Sequence, residues 1–407
     1  MAVRRQPRAA EALRLSSRSA GLKPTAVNSI LAEVRALQAQ GASPGTSIVS
    51  LMRGEPDFRT PAHICDAAVR ALANGRTSYP DNRGEPVLRE AVAQKLARDN
   101  QLSYDPGSEI LVTTGATLGV YAALTTLLSD GDEVLLPDPI YDAYQSAIVL
   151  AGGRSVPVRS SIENGRFVVT KEALEAAATT SSRVLLLNSP WNPTGTVFLE
   201  SELHEIADFV IRRNLILISD EIYEAIVYDG HRHVSLATLS DEMRKRTVLV
   251  NSLSKTYAMT GWRVGYCAGP APLIQAMFLV LQQSSRGPAT FIQDAAACAL
   301  TESQECVREM RRGYADRRTT VMAALSNVPR ARVLLPEGGF FAMVDVRETG
   351  RTSDEVRLRL LHEHGVVVMH GAAYGQGGEG TIRVSFASGG QNLQNGLERL
   401  REGLARL

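Results

Sequence analysis

Seven short apolar runs, separated by helix-length amphipathic stretches, set the architecture of this chain. The runs are Ile110–Thr113, Glu133–Leu136, Ser155–Val158, Val184–Asn188, Leu215–Ser219, Val248–Asn251 and Val264–Ala268. Most are continuous rather than alternating, the pattern of strands covered on both faces. Stretches with helical spacing, such as Leu118–Leu128 and Leu199–Arg213, lie between them. Strands that alternate with helices predict βαβ units with right-handed crossovers. The expected fold is therefore α/β, with a mainly parallel seven-stranded sheet flanked by helices.

Beyond about residue 300 the texture changes. A long arginine-rich helix over Glu302–Leu325 precedes short strands at Val333–Leu335, Gly338–Val346, Val366–Met369 and Thr381–Ser385. Helices are expected at Ser353–His364 and from Asn392 onward. This reads as a smaller α+β unit, against which a helical stretch over residues 28–40 would pack. A chain of 407 residues exceeds what one hydrophobic core holds. The expected division is a basic N-terminal extension over 1–14, the N-terminal part of a small domain over 15–55, a large domain over 56–295 and a C-terminal small domain over 296–407.

Composition excludes several partners. The formal net charge of +1 leaves no electrostatic footprint for nucleic acid or an anionic membrane. No apolar run reaches the roughly 18–20 residues of a membrane helix. The four cysteines, Cys65, Cys267, Cys298 and Cys306, form no CxxC pair and read as small apolar residues in a reducing, cytoplasmic compartment. His362 and His364 would point to different faces of a helix, and His231 and His233 read as solvated loop residues, so no metal site is expected. The first 21 residues carry five arginines and one acid, which resembles an organellar transit peptide; a basic extension on a cytosolic protein is the preferred reading. GQGGEG, at Gly375–Gly380, fits a dinucleotide-loop pattern but precedes a strand rather than opening a helix, so it reads as a flexible loop.

The chemistry is concentrated in SLSKTYAMTGWRVGY, Ser252–Tyr266. Lys255 lies in an apolar segment with Arg263 downstream, and burial with a nearby cation favours the neutral amine that attacks carbonyls. If that carbonyl belongs to pyridoxal phosphate, the site needs an acid for the ring nitrogen, an anion cup and an aromatic face. SDEIYE places Asp220 at the carboxyl end of a strand, where open α/β sheets put ligands, with Tyr223 three residues on. TTGATLGV, Thr113–Val120, turns from strand to helix at Gly115, so the N–H groups of Ala116 and Thr117 would face an anion, joined by Ser252 and Arg263. NSPWNPTG, Asn188–Gly195, follows a strand and would project Asn192 from the same sheet edge.

NPTG, SDEIYE and SLSKTYAMTGWRVGY, in this order and spacing, resemble the class I aminotransferases, the aspartate-aminotransferase-like family of fold type I pyridoxal-phosphate enzymes. The resemblance runs from about Leu15 to the C-terminus. It implies a large domain and a small domain formed from both chain ends, and a transaminase working by a ping-pong mechanism between an L-amino acid and a 2-oxo acid. It implies that Lys255 forms the internal aldimine with pyridoxal 5′-phosphate and shuttles the proton. Asp220 would pair with the ring nitrogen, Tyr223 and Asn192 with the phenolic oxygen, and Tyr141 would stack on the ring. Ala116, Thr117, Ser252 and Arg263 would take the phosphate, and Tyr79 would reach the phosphate of a neighbouring subunit in a homodimer. Arg383 would clamp the substrate α-carboxylate beside Gly54 and Asn192, with Phe340 at the side chain.

The departures from the family are specific. Tyr141 stands where many members carry tryptophan, Trp191 precedes Asn192 and would reshape the side-chain pocket, and Leu281 aligns with the usual side-chain-binding arginine. Thr117 stands where some relatives place a substrate-binding lysine, and Arg286 is a candidate substitute. A lyase or synthase on the same scaffold is the alternative activity, and a non-catalytic pyridoxal-phosphate-binding regulator the alternative outside enzymes.

Overall fold

In the computed structural model, residues 15–39 and 48–407 are described, so the expected extension over 1–14 lies outside the described residues. The seven apolar runs form one sheet. Its strands are β1 (Ile110–Thr113), β2 (Glu133–Asp138), β3 (Arg154–Arg159), β4 (Ser182–Asn188), β5 (Ile216–Asp220), β6 (Thr247–Ser252) and β7 (Gly265–Ala268). They lie in the order β1-β7-β6-β5-β4-β2-β3. All neighbours run parallel except β7, which is antiparallel to both β1 and β6. β1, β2, β6 and β7 are buried at every position, as continuous apolar runs predict.

Helices cover both faces. Ala116–Leu127 packs on one face together with Ala271–Ser284, and their apolar residues form one core with β1, β6 and β7. Glu200–Arg212 covers the other face, with Leu203, Ile206, Phe209 and Val210 turned inward. These residues recur every three or four positions, which is the stripe a helix needs to bury one side.

The smaller unit is built on an antiparallel sheet of β8 (Arg332–Val333), β9 (Phe341–Asp345), β10 (Met369–His370) and β11 (Thr381–Ser385), ordered β8-β9-β11-β10. Val49–Ser50, from the other end of the chain, pairs parallel with Val366–Val367. The helices Glu305–Leu325, Ser353–His364 and Gly390–Ala405 complete its core around Val344, Ile382 and Leu400.

Three expectations change. GQGGEG does precede strand β11, but it is closely packed rather than loose: Gly377 N–H donates to Asp138 Oδ2 at 2.9 Å. Gly375 lies at φ +124°, and a Cβ there would fall 1.9 Å from Asp138 Oδ1, so only glycine fits. His233 is not solvated, because its Nε2 lies 2.9 Å from Glu221 Oε2 inside the protein. Of the four cysteines only Cys267 is fully buried, and the others are half-buried.

Candidate active site

The parallel strands end together, and that shared edge assembles the site. Asn188 and Asp220 are direct partners at the ends of β4 and β5. Thr113, Gly265 and Ser252 form a second row across β1, β7 and β6. Loops leaving these ends enclose a cavity of about 480 Å³. Of the residues anticipated from sequence, Gly54, Ala116, Thr117, Tyr141, Asn192, Asp220, Tyr223, Ser252, Lys255, Arg263 and Arg383 line it.

Lys255 sits on the short helix Leu253–Thr256, whose first turn is capped by the Ser252 hydroxyl accepting from Ser254 N–H at 3.3 Å. Its Nζ donates to the Gly54 carbonyl at 2.6 Å. Burial brings its pKa from 10.5 to about 8; Arg263 and Arg383 push the same way, against the pull of Glu55. A substantial neutral fraction at physiological pH is what a lysine nucleophile requires.

Asp220 is buried at the end of β5 and accepts from Ile222 N–H at 3.2 Å and from the Tyr144 hydroxyl. Among the described residues no lysine, arginine or histidine pairs with it. Burial raises its pKa from 3.8 to about 6, against the two hydrogen bonds. A buried carboxylate without a cation is a costly arrangement that a protonated ring nitrogen relieves.

The anion cup forms where β1 turns into Ala116–Leu127. The first N–H groups of a helix have no intrahelical acceptor and point outward from its positive end. Gly115 holds this turn at φ +80°, and a Cβ on it would lie 2.5 Å from Arg263 Nη2. Arg263 itself adopts φ 54°, a left-handed conformation that larger residues hold only under tertiary constraint. Together, cup, arginine, lone carboxylate and a lysine with a lowered pKa fit pyridoxal 5′-phosphate.

Arg383, 3% exposed, crosses from β11 to the same cavity. It donates from Nη1 to Asn192 Oδ1 at 3.1 Å and from Nη2 to the Met52 carbonyl at 2.8 Å. Phe341 and Tyr374 flank its guanidinium, with ring centres 4.0 and 4.9 Å from Cζ. Its Nε is buried without a partner, which leaves a donor for an incoming carboxylate.

Three anticipated residues lie elsewhere. Phe340 does not line the cavity, and its neighbour Phe341 does. Adjacent residues entering a strand face opposite ways, so a shift of one position exchanges the faces. Trp191 is 1% exposed, stacked on Phe198 and packed in the core, and does not shape the cavity wall. Tyr79 is 87% exposed and off the cavity, with Arg286 Cζ 5.7 Å from its ring centre.

Sequence reading missed two residues. Tyr144 reaches Asp220 from the helix Ala143–Leu150 and carried only the signal of a second tyrosine one helical turn after Tyr141. Asn188 donates to the Asp220 carbonyl at 3.0 Å and accepts from Asn192 N–H at 2.8 Å, tying the two strand ends together.

A family profile described as aminotransferase class I and II matches residues 46–400. An aspartate aminotransferase of Pyrococcus abyssi is 42% identical over 357 residues, covering 87% of this chain and 91% of that relative. Aromatic-amino-acid aminotransferase 2 of Thermococcus litoralis is 41% identical over 357 residues, with the same 87% and 91% coverage. The crystal structure of the aspartate aminotransferase from Rhizobium meliloti matches with a TM-score of 0.92 at 33% identity, over 97% of this chain and 100% of that one.

Proposed function

Because the chain belongs to the class I and II aminotransferases and is a transaminase, we propose that Lys255, Asp220 and Arg383 carry its reaction around one bound pyridoxal 5′-phosphate. The observation that supports this best is the complementary pair in one cavity: a lysine at about pKa 8 and a buried carboxylate at about 6 with no cation of its own. Bound pyridoxal phosphate supplies an electron sink for the electron pair left when the Cα–H bond of an amino acid breaks.

The protein's own groups supply the rest. Arg383 fixes the α-carboxylate of the incoming amino acid through a charge-assisted pair, and Asn192 and the Met52 carbonyl hold its guanidinium in place. That anchor orients the Cα–H bond toward Lys255. The amine at Nζ takes the proton and holds it beside the substrate. Asp220 keeps a positive charge facing it, and Tyr144 and Ile222 N–H keep the carboxylate oriented. Ala116 and Thr117 N–H, Ser252 and Arg263 would hold the phosphate, Asn192 and Tyr223 would serve the phenolic oxygen, and Tyr141 would pack against the ring. An amino acid enters and its 2-oxo acid leaves before a second 2-oxo acid enters, so the cycle is ping-pong.

The working form is a homodimer in which Tyr79 reaches the partner's site. Its exposure beside Arg286, away from its own cavity, supports this. A cytoplasmic setting fits four cysteines without a disulfide and the absence, among the described residues, of a helix able to cross a membrane. Names of the relatives span aspartate, aromatic amino acids and arginine, and all of these relatives are transaminases.

The test adds single amino acids, without any acceptor, to purified protein carrying pyridoxal phosphate. Loss of its visible absorbance with release of the matching 2-oxo acid supports the reading. Release of ammonia would move it to a lyase, and no visible absorbance at all would remove Lys255 from its role.

A further inference from the structure

Among the described residues, five charged ones line the active cavity: Asp142, Asp220, Lys255, Arg263 and Arg383. Four have work in the reaction as proposed above, and Asp142 has none. Its Oδ2 accepts from Ala26 N–H at 2.9 Å, which an asparagine would do equally well. Its Oδ1 is buried without any hydrogen-bond partner. Close by, the Tyr374 hydroxyl is also buried and unpartnered, and the charge of Asp142 bears on the hydroxyls of both Tyr141 and Tyr374.

A substrate amino acid offers three substituents to this cavity. Arg383 takes the α-carboxylate and Lys255 lies with the α-amine, which leaves the wall of Thr25, Val27, Asn28, Asp142 and Tyr374 to the side chain. Among the described residues the wall itself carries no cation: Arg383, over the Tyr374 ring, is taken by the α-carboxylate, and Lys23 lines a neighbouring cavity that Asp142 also borders. A second carboxylate would meet the charge of Asp142 with no cation of the wall to receive it. A side chain that ends in a cation or a multiple donor would give Oδ1 the partner it lacks, and an acidic one would be repelled.

We infer that Asp142 is the side-chain specificity residue, and that it selects amino acids with a basic, donor-bearing side chain over dicarboxylic ones. This rests on the transaminase site proposed above. Asp142→Asn is the sharp variant, because it keeps an acceptor for Ala26 N–H and removes only the charge.

Two readouts are needed, both on the cofactor-loaded enzyme. The first is kcat/KM for the amino-donor step with L-arginine, L-ornithine, L-norleucine and L-aspartate. The second is calorimetric binding of 5-guanidinopentanoate and glutarate, which carry no amine and cannot react. Asp142→Asn is expected to lower kcat/KM for arginine and ornithine about tenfold or more, weaken 5-guanidinopentanoate similarly, and leave norleucine within about threefold. A wild-type preference for aspartate and glutarate that Asp142→Asn leaves unchanged would overturn the inference. So would loss of that preference in Arg286→Ala, since a cation brought by a partner copy would then set the selectivity. If no donor is converted while 5-guanidinopentanoate still binds through Asp142, the transaminase site falls and the subsite stands.

Discussion

The stretch Ser219–Glu224 has two faces, and they are finished differently. Behind the sheet edge, Glu221 accepts from Ser219 and Ser235 hydroxyls at 2.8 and 2.7 Å and lies against His233. Glu224 takes the Lys95 ammonium, Asn100 Nδ2 at 2.6 Å and Asn251 Nδ2 at 2.7 Å. Burial works against ionised Glu224, and Lys95, His233 and Asn100 together outweigh it, so its pKa lies below the ordinary value. In front, among the described residues, Asp220 has no cation, and Asp142 Oδ1, Tyr374 Oη and Arg383 Nε have no partner. The same fold therefore gives its buried carboxylates positive or hydroxyl partners on one side, where His233 Nδ1 still lacks one, and leaves a carboxylate without a cation on the other. A buried carboxylate without a cation is costly, and a ligand that brings positive charge relieves it. Glu221, Glu224 and His233 come close enough to suggest a cation site, but Lys95 already supplies the positive charge there.

The comparison is broken most directly at Lys255. Lys255→Ala removes the one amine that lines the cavity among the described residues and should lower the amino-donor step by at least about 10³-fold, with the fold retained. Single-turnover kinetics together with the far-ultraviolet spectrum would check this. Substantial residual transamination would mean that another group moves the proton.

On the opposite face, Lys95→Met leaves Glu224 charged and unpaired in the interior. Losing one partner of a buried ion pair typically costs about 3–5 kcal/mol, to be read from the urea midpoint. Cofactor affinity should shift by less than about tenfold, because the Lys95–Glu224 pair hydrogen-bonds toward the site through Asn251, whose Oδ1 accepts from Ser252 N–H at 2.7 Å, and neither member lines the cavity. A folded variant that no longer binds cofactor would show that the two faces are one unit.

Asp220 gives the opposite sign. Its pKa rises from 3.8 unfolded to about 6 folded, so the native state binds the extra proton between those values. Cofactor-free protein should be most stable, as regards this group, below about pH 4, and should lose that stability as pH rises through about 6. At roughly 1.4 kcal/mol per unit the loss is on the order of 3 kcal/mol. Asp220→Asn should flatten this slope and make the cofactor-free protein more stable than wild type at pH 8, while weakening what the cofactor adds. Thermal unfolding across pH, with and without pyridoxal phosphate, measures both. An unchanged slope would mean that Asp220 is not the titrating group.

How legible the molecule was in its sequence follows from the same division. All seven central strands lie within two residues of the apolar runs, because strands buried on both faces cannot hide their composition. Lys255, Asp220 and Asn192 were legible because each follows a strand, and parallel strands end on one side. Tyr144, Asn188 and His233 were not, since Tyr144 and Asn188 meet Asp220 only across the fold, His233 meets Glu221 from a separate loop, and their types fit ordinary surfaces. Phe340 and Phe341 illustrate a different limit. Composition cannot tell which of two adjacent aromatic residues faces the cavity, because one step in register reverses both. Asp142 is hardest of all, since a missing partner leaves no trace in a sequence.

Trp191 offers the smallest and most discriminating prediction. Its neighbour Asn192 is part of the site, so sequence position alone suggests a role in selectivity. The structure puts its ring on Phe198 at 5.6 Å and on Phe167 at 6.1 Å, and its Nε1 donates to the Pro139 carbonyl at 2.7 Å. Trp191→Phe keeps an aromatic ring in that stack and loses the hydrogen bond, so about 1 kcal/mol of stability should go, with some more for the smaller ring. Relative kcat/KM across acidic, aromatic and basic donors should stay unchanged, since no part of the ring lines the cavity. An altered order of donors at unchanged stability would move Trp191 from the packed side of the molecule to the open one.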